Sequence, residues 1–177
     1  MSDPKQAAMR DAILKRVASP HAQGEARPAD APLDWDDIGF LSHGLVFGHR
    51  LLHQATKGVT ERYSLGPRGG WMLNLISRGI VHPHELSEVL RIGRSLVSAE
   101  LSRMTEAGLV VSETAPNDRR HTELKLTAEG QKALNEVRGE LFRILTEALS
   151  GYSPDQIRLM SRMLYDLHAS APAVSPG

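Results

Sequence analysis

Apolar residues recur at helical spacing along most of this chain, and the pattern is sharpest between residues 94 and 107. Val97, Leu101 and Met104 stand at i, i+4 and i+7, which predicts a helix with one buried side. Gly108 follows, as expected for a residue that ends a helix. The remaining positions are mostly small, hydroxylic or basic, so the other side should be polar and closely approachable. These positions are Arg94, Ser95, Ser98, Ala99, Ser102 and Arg103.

A pair of short strands is predicted directly after this helix. Residues 109–111 begin the first strand, residues 115–118 form a turn, and residues 122–126 return with Leu124 and Leu126 facing inward. A brief strand is expected at residues 80–81, before the polar-faced helix. A shorter helix follows it, with Pro83 in its first turn and with Leu86, Val89 and Leu90 facing inward. Helix, turn, helix and hairpin together predict a winged helix-turn-helix.

Long amphipathic helices are predicted on both sides of this region, one from Asp34 and two after Thr127. Their apolar faces are too broad for a small core and therefore predict a partner surface. A short helix and a linker rich in proline and alanine come first. In chain order, the predicted organisation is an N-terminal arm at 1–33, a domain at 34–171 and a disordered tail at 172–177. Within the domain, dimerisation helices at 34–65 and 128–169 flank a winged helix-turn-helix at 66–127.

Composition restricts the fold and the location. With 177 residues, 41% of them hydrophobic and 24% charged, the chain should be globular and soluble. The predicted elements give it a mainly α fold with a small β-wing (α+β). No apolar run approaches the roughly 20 residues of a membrane span, so no membrane contact is expected. The first residues lack the apolar core of a signal peptide, which predicts a cytoplasmic protein.

Composition also restricts the chemistry. The chain has no cysteine, which removes disulfides, thiolate catalysis and thiol-based redox sensing. No nucleophile-base set or phosphate-binding loop appears at a readable spacing, so an enzyme is not expected. The formal net charge is zero, so any contact with DNA must be local rather than driven by bulk electrostatic attraction.

An ordered set of short motifs runs from Ile92-Gly93 through Glu106-Ala107-Gly108-Leu109-Val110 and Asp118-Arg119-Arg120 to Leu126-Thr127-Ala128-Glu129-Gly130. In this order the motifs resemble the MarR family of bacterial transcription regulators, over about residues 34–169. The resemblance implies an obligate homodimer, joined by its N- and C-terminal helices, that binds pseudo-palindromic operators. It also implies release of DNA on meeting a small ligand. Gly93 departs from the family, which often has serine or threonine there, and supplies no hydroxyl for a phosphate.

Two groups of residues are predicted to contact double-stranded operator DNA. Short side chains let a helix backbone enter the major groove, where Ser95, Ser98 and Ser102 can reach phosphates or base edges. Arg94 and Arg103 would neutralise phosphates or read guanine. The resemblance adds the wing: Arg120 matches the family arginine that enters the minor groove, Asp118 matches the carboxylate that orients the wing, and Arg119 lies between them. The alternative for the helix is an ordinary solvated face, and the alternative for Asp118 is a plain turn residue.

Histidines on the first long helix suggest a metal or a ligand. His49 and His53 stand at i, i+4, a spacing that can chelate zinc, but a closed site needs three or four ligands and no third is evident. No metal is therefore predicted, and a solvent-facing or hydrogen-bonded histidine is the commoner case. The resemblance instead places a ligand pocket between the first helices, the dimer helices and the DNA-binding lobe. There, cationic donors beside an aromatic side chain would suit an aromatic carboxylate. The residues are His49, Arg50, His53, Arg68 and Trp71. The alternative is that Trp71 is a core residue.

The function predicted from these observations is a ligand-responsive transcriptional repressor, without a cofactor, that a small aromatic acid releases from its operator. Two alternatives stay open. One is a zinc-responsive regulator on the same scaffold. The other is a winged helix used for protein contacts, which the neutral net charge favours slightly. Arginines placed on both the helix and the wing favour DNA more.

Overall fold

The computed structural model describes residues 4–17, 30–115 and 118–170. Within these ranges the chain is mainly helical with one two-stranded antiparallel sheet, which confirms the predicted fold class. The elements are, in order, α1 (Pro4–Val17), α2 (Trp35–Arg62), α3 (Gly69–Ile76), α4 (Pro83–Leu90), α5 (Arg94–Glu106), β1 (Val110–Ala115), β2 (Asp118–Leu126), α6 (Ala128–Ala148) and α7 (Pro154–Ser170). They belong to two compact units, Met1–Leu52 and His53–Gly177.

The long helices begin at the residues whose side chains were predicted to cap them. The Asp37 amide donates to Asp34 Oδ1 at 3.0 Å, and the Asp34 amide donates to Asp37 Oδ2 at 3.2 Å. Thr127 Oγ1 accepts from the Gly130 amide at 3.0 Å. A Cβ at Gly130 would overlap the Leu109 carbonyl oxygen, so glycine is what lets α6 start against the first strand.

One helix end differs from the prediction by a few residues and another agrees with it. Helix α2 was expected to continue to residue 65, but it ends at Arg62 because Ser64 takes a left-handed φ of 53°. The Leu65 amide then donates back to the Thr60 carbonyl at 2.8 Å. Helix α5 ends as predicted, with Gly108 at a φ of 69°, where a side chain would be strained.

The core of the second unit lies beneath α5, between α3, α6 and the base of the hairpin. The stripe predicted on α5 is confirmed, since Val97, Leu101 and Met104 are all buried. Val89 was expected to face inward beside Leu86 but is 40% exposed, so that prediction is wrong. Helix α4 is only 8 residues long, and Val89 lies at the edge of its buried side. The core consists of Val59, Tyr63, Leu65, Met72, Leu73, Ile76, Leu86, Val97, Leu101, Met104, Leu109, Val110, Leu124, Ala133, Leu134 and Val137.

The hairpin pairs β1 with β2 from Val110 opposite Leu126 to Ala115 opposite Asp118. The predicted turn residues 116–117 lie outside the described residues. The inner side chain of Leu124 is buried, as expected, and its amide donates to the Val81 carbonyl at 2.9 Å. The brief strand predicted at residues 80–81 does not form, and Val81 contacts β2 through this hydrogen bond. It ties the wing to the start of the helix-turn-helix.

The first unit contains α1 and most of α2. The apolar stripe predicted on α2 is only partly covered in a single chain: Ile38, Leu41 and Leu45 are each more than 40% exposed. Met9 and Ile13 on α1 are also exposed. Apolar side chains at helical spacing are therefore available on this unit for a further contact.

Candidate nucleic-acid interface

Helix α5 has one buried side and one exposed side, as its sequence pattern predicted. The buried side consists of Val97, Leu101 and Met104 together with Glu100. Apart from Leu96, which is 49% exposed, the middle of the exposed side carries short, hydroxylic and basic side chains, and all of the helix residues assigned to DNA are exposed there. They are Arg94, Ser95, Ser98, Ala99, Ser102 and Arg103.

The two arginines of this exposed side lie on opposite flanks of the helix. Arg94 and Arg103 are nine positions apart, which on an α-helix is about two and a half turns and a rise of roughly 14 Å. The short side chains of Ser95, Ser98 and Ser102 run between them. A groove that received the serines would therefore have one arginine against each of its walls.

Glu100, which was not among the residues predicted to have a function, is a buried residue on α5. Its exposure is 3%. Its Oε1 accepts a hydrogen bond from the Gly66 amide at 2.6 Å, and its Oε2 pairs with the Arg103 guanidinium. A Cβ at Gly66 would overlap Oε2, and one at Gly69 would lie 2.6 Å from Oε1. The two glycines therefore leave the space that the carboxylate fills.

A signal for Glu100 was present in the sequence. The residue stands three positions after Val97 and four before Met104, so it falls at the edge of the buried stripe. A carboxylate there must find donors, because an unpaired buried charge is costly. The donors come from the segment between α2 and α3 and from the next turn of α5, and spacing along α5 alone could not reveal the first of these.

The wing residues Asp118, Arg119 and Arg120 open β2, with Asp118 opposite Ala115 in the register. The side chains of residues 114–122 lie outside the described residues. The contacts assigned to these three residues thus stay predictions. Nearer the base of the hairpin, Lys125 Nζ and Glu113 Oε2 form a cross-strand ion pair at 2.6 Å. This hydrogen bond and the charge of Glu113 raise the pKa of Lys125.

The residues assigned to an effector divide between the two units. His49 and Arg50 are exposed on α2 in the first unit, where the Arg50 guanidinium lies over the Phe47 ring at 5.3 Å. His53 and Arg68 are exposed in the second unit.

Trp71 lies on the outer side of α3 and is 49% exposed. The opposite side of the helix carries Met72 and Leu73, which are fully buried. The alternative that Trp71 is a core residue of the single chain is therefore wrong. Its indole is available to a ligand or to another protein surface.

A shallow cleft of about 350 Å³ lies near the start of α6. Its two cations already have partners. Arg62 pairs with Glu136 at 2.5 Å and Lys132 with Glu129 at 3.3 Å, and the second pairing raises the pKa of Lys132. The cleft is lined by Arg62, Tyr63, Ser64, Ala107, Glu129 and Lys132, none of which was assigned to the effector.

Two further features of the described residues bear on a metal site and on a membrane span. No three histidine, cysteine, aspartate or glutamate side chains among them are placed to hold one metal ion. The His82 and His84 rings stack 5.7 Å apart at the start of α4 without a third ligand of that kind. None of the helices in the described part of the chain is both long and apolar enough to span a bilayer.

Comparison with known proteins shows the fold of this chain and a match to a family model over part of it. A model of the MarR family matches residues 67–121, from just before α3 into β2. A MarR family protein from Bacillus stearothermophilus is 22% identical, with a TM-score of 0.61, over 78% of this chain and 97% of that one. CouR from Rhodococcus jostii RHA1, bound to p-coumaroyl-CoA, is 21% identical, with a TM-score of 0.65, over 77% and 95%. NadR in complex with 4-hydroxyphenylacetate is 21% identical, with a TM-score of 0.61, over 82% and 100%. At these identities the structures establish the fold, and the predicted resemblance to the MarR family is confirmed.

Proposed function

We propose that this chain, whose residues 67–121 match a model of the MarR family, is a transcriptional repressor that binds operator DNA through α5 and the wing. The observation that carries the proposal is the division of α5 into a fully packed side and an exposed side of serines flanked by arginines. Ordinary surface helices carry long charged side chains, which would hold a helix away from base edges. Short side chains let this one enter a major groove, which is about 12 Å wide.

The proposed contacts divide between positioning and readout. Arg94 and Arg103 would pair with phosphates on the two walls of the groove, and hydroxyls of Ser95, Ser98 and Ser102 would reach base edges or phosphates. Arg120 on the wing would enter the adjacent minor groove. Because the formal net charge is zero, these few arginines must supply the attraction locally. A regulator of bacterial operators works in the cytoplasm, where we propose this protein acts.

We propose further that the protein is a homodimer. In a single chain no residue of α7 is buried, although its sequence carries an apolar stripe. Phe142 on α6 is 75% exposed and Met163 on α7 is 52% exposed. Covering such surfaces takes a second copy of the helices. Two recognition helices related by a two-fold axis would then read half-sites one helical turn apart, about 10 bp from centre to centre.

The effector that we propose is a small aromatic acid. Trp71 offers a half-exposed indole on which a planar ring can stack, and Arg68 stands three residues before it. His53, which lies in the same unit as Trp71 and Arg68, adds a donor for a carboxylate. Two relatives of the same fold were solved with aromatic acid derivatives, p-coumaroyl-CoA and 4-hydroxyphenylacetate. The ligand would release DNA only if it binds better to the arrangement of helices that cannot bind the operator.

A gel-shift titration against the DNA upstream of the gene that encodes this chain tests the proposal. The full chain should retard that duplex, and a benzoate- or cinnamate-type acid should weaken the retardation. Zinc with and without a chelator forms a parallel arm. A response to zinc alone would replace the aromatic effector with a metal. Absence of binding to that duplex and to duplexes selected from a random pool would leave a winged helix used for protein contacts.

A further inference from the structure

We infer that Glu100 is a positioning residue, which holds Arg103 in place as a preset phosphate contact on one flank of the recognition helix α5. This inference rests on the proposed function, since it assigns a role within DNA binding. It refines the assignment of Arg103 from a cation that pairs with a phosphate to one whose direction is fixed before DNA arrives. It also assigns a role to Glu100, a charged residue that touches no DNA in this scheme.

The first support is the burial of Glu100 together with its complete pairing. The side chain is 4% exposed, and each carboxylate oxygen has a donor, one from Gly66 and one from Arg103. A buried carboxylate is stable only when charged and hydrogen-bonding partners surround it. Arg103 is therefore held by an interaction that the protein needs for its own stability.

The second support is the space reserved for the carboxylate. A Cβ on either Gly66 or Gly69 would contact it too closely, so two glycines in the α2–α3 segment admit a charged group that a methyl would exclude. The carboxylate thus links α5 to the start of α3. The direction of Arg103 is set by this link, and so by two elements of the fold instead of one.

The third support is what remains available on Arg103. Its side chain is 49% exposed although its guanidinium pairs with Glu100. A guanidinium has five N–H donors in a fixed planar fork, so one pairing leaves donors for a phosphate. An arginine that is already fixed loses less conformational freedom on binding than a free one does.

Arg94 provides the comparison within the same helix. It lies on the opposite flank, and among the residues that the structure describes its side chain has no hydrogen-bonding or ion-pairing partner. If both arginines contact phosphates, only Arg103 does so from a preset position. The two flanks of α5 should therefore differ in how they respond to loss of a neighbouring residue, although each carries one positive charge.

The salt dependence of DNA binding by the full-length protein tests this inference. The probe is a duplex selected by the wild-type protein from a random-sequence pool. The variants are Arg103→Gln, Arg103→Lys, Glu100→Gln and the double variant Glu100→Gln/Arg103→Gln, with Arg94→Gln as the matched control. Glutamine at position 100 keeps the size and can still accept from the Gly66 amide. Hydrogen exchange of that amide reports whether α5 stays docked.

Arg103→Gln should reduce the slope of log K against log salt by about 0.9, because one phosphate contact is lost. Its affinity should fall about tenfold, as expected for a charge-assisted hydrogen bond. Glu100→Gln should keep the wild-type slope and still bind several-fold more weakly, because Arg103 remains a cation but is no longer held. Adding Glu100→Gln to Arg103→Gln should change nothing further. Arg103→Lys should keep the slope and lose affinity, since lysine keeps the charge without the planar fork.

An unchanged slope in Arg103→Gln would overturn the inference, and so would wild-type affinity in Arg103→Lys. Equal weakening of DNA binding by Glu100→Gln in the wild-type protein and in Arg103→Gln would also overturn the inference. Glu100 would then only hold the helix in place. If Glu100→Gln fails to fold, the comparison of Arg103→Gln with Arg103→Lys decides. Failure of the proposed function looks different: the wild-type protein would select no duplex, or Arg94→Gln and Arg103→Gln would both bind as wild type.

Discussion

The Tyr63 hydroxyl donates a hydrogen bond to Glu136 Oε1 across 2.7 Å, which joins the residue after α2 to the middle of α6. The other oxygen of the same carboxylate pairs with Arg62 at 2.5 Å. One carboxylate therefore holds two consecutive residues at the end of α2. The pKa of Tyr63 is raised above its ordinary value of 10.0, chiefly because this hydrogen bond holds the phenolic proton, and further by burial and by the charge of Glu136.

This relationship predicts a difference in stability at alkaline pH between the wild type and Tyr63→Phe. The raised pKa makes the neutral phenol contribute to the free energy of unfolding. That contribution is complete below the unfolded pKa and is lost as the pH rises through the folded pKa. The wild-type free energy of unfolding should therefore decline more steeply above pH 10.0 than that of Tyr63→Phe. Urea unfolding at a series of pH values measures both, and titration of Lys125, whose pKa is raised by Glu113, is common to the two proteins. Parallel declines would contradict the prediction.

A second prediction concerns the glycine beside Glu100. Gly66→Ala places a methyl group against the buried carboxylate, and Oε2 or the backbone must move. We expect the free energy of unfolding to fall by about 1–3 kcal/mol, as for other insertions into packed interiors. The control is Gly58→Ala on α2, where nothing lies within 4 Å of the added Cβ. That variant should be more stable than wild type by up to about 1 kcal/mol, since alanine favours helix over glycine. Denaturant unfolding of the two variants should therefore give opposite signs.

A third prediction concerns the arginines of the recognition helix and the wing. Arg94→Ala and Arg120→Ala should each weaken operator binding by about 1–3 kcal/mol while leaving the fold intact. Arg143→Ala on α6 removes an exposed charge, which pairs with Glu140, and should bind as wild type. Fluorescence anisotropy gives the affinities and circular dichroism the folded state. Wild-type affinity in both test variants would remove the DNA-reading assignment.

A fourth prediction concerns the oligomeric state. The full chain should sediment as a dimer at micromolar concentration, with no stable monomer, because the apolar stripe of α7 is uncovered in a single chain. Met163→Glu places a charge in that stripe and should abolish the dimer. Arg162→Glu on the other side of the same helix is the control and should leave the dimer intact. A compact wild-type monomer would show that the exposed stripe has another purpose.

A fifth prediction concerns the effector. Trp71→Ala and His53→Ala should each blunt the release of operator DNA by a benzoate- or cinnamate-type acid. DNA binding by the ligand-free variants should survive. Trp35→Ala removes a more exposed indole, 79% exposed compared with 49% for Trp71, and should leave the response unchanged. Calorimetry with the same acids reports binding directly. A normal response in Trp71→Ala would place the effector elsewhere.

The sequence by itself was enough to determine the local structure of this chain. The caps at Asp34 and Thr127, the stop at Gly108 and the buried stripe of α5 follow from bonds and spacings within a few residues. Such features depend on near neighbours along the chain, so they can be read without knowing what packs against them. The order of the motifs then indicated the winged helix-turn-helix and its family.

Only the tertiary structure decided which apolar positions are covered and what the buried charge does. Periodicity placed Val89 inward and left the position of Trp71 open, whereas packing exposes both to similar extents. The side chains of the wing tip, including Arg120, lie outside the described residues, and their assigned contacts stay predictions. Glu100 shows the physical reason most clearly. Its pairing with the Gly66 amide joins residues 34 positions apart, and no local rule of spacing specifies which distant backbone donor a side chain will meet when the chain folds.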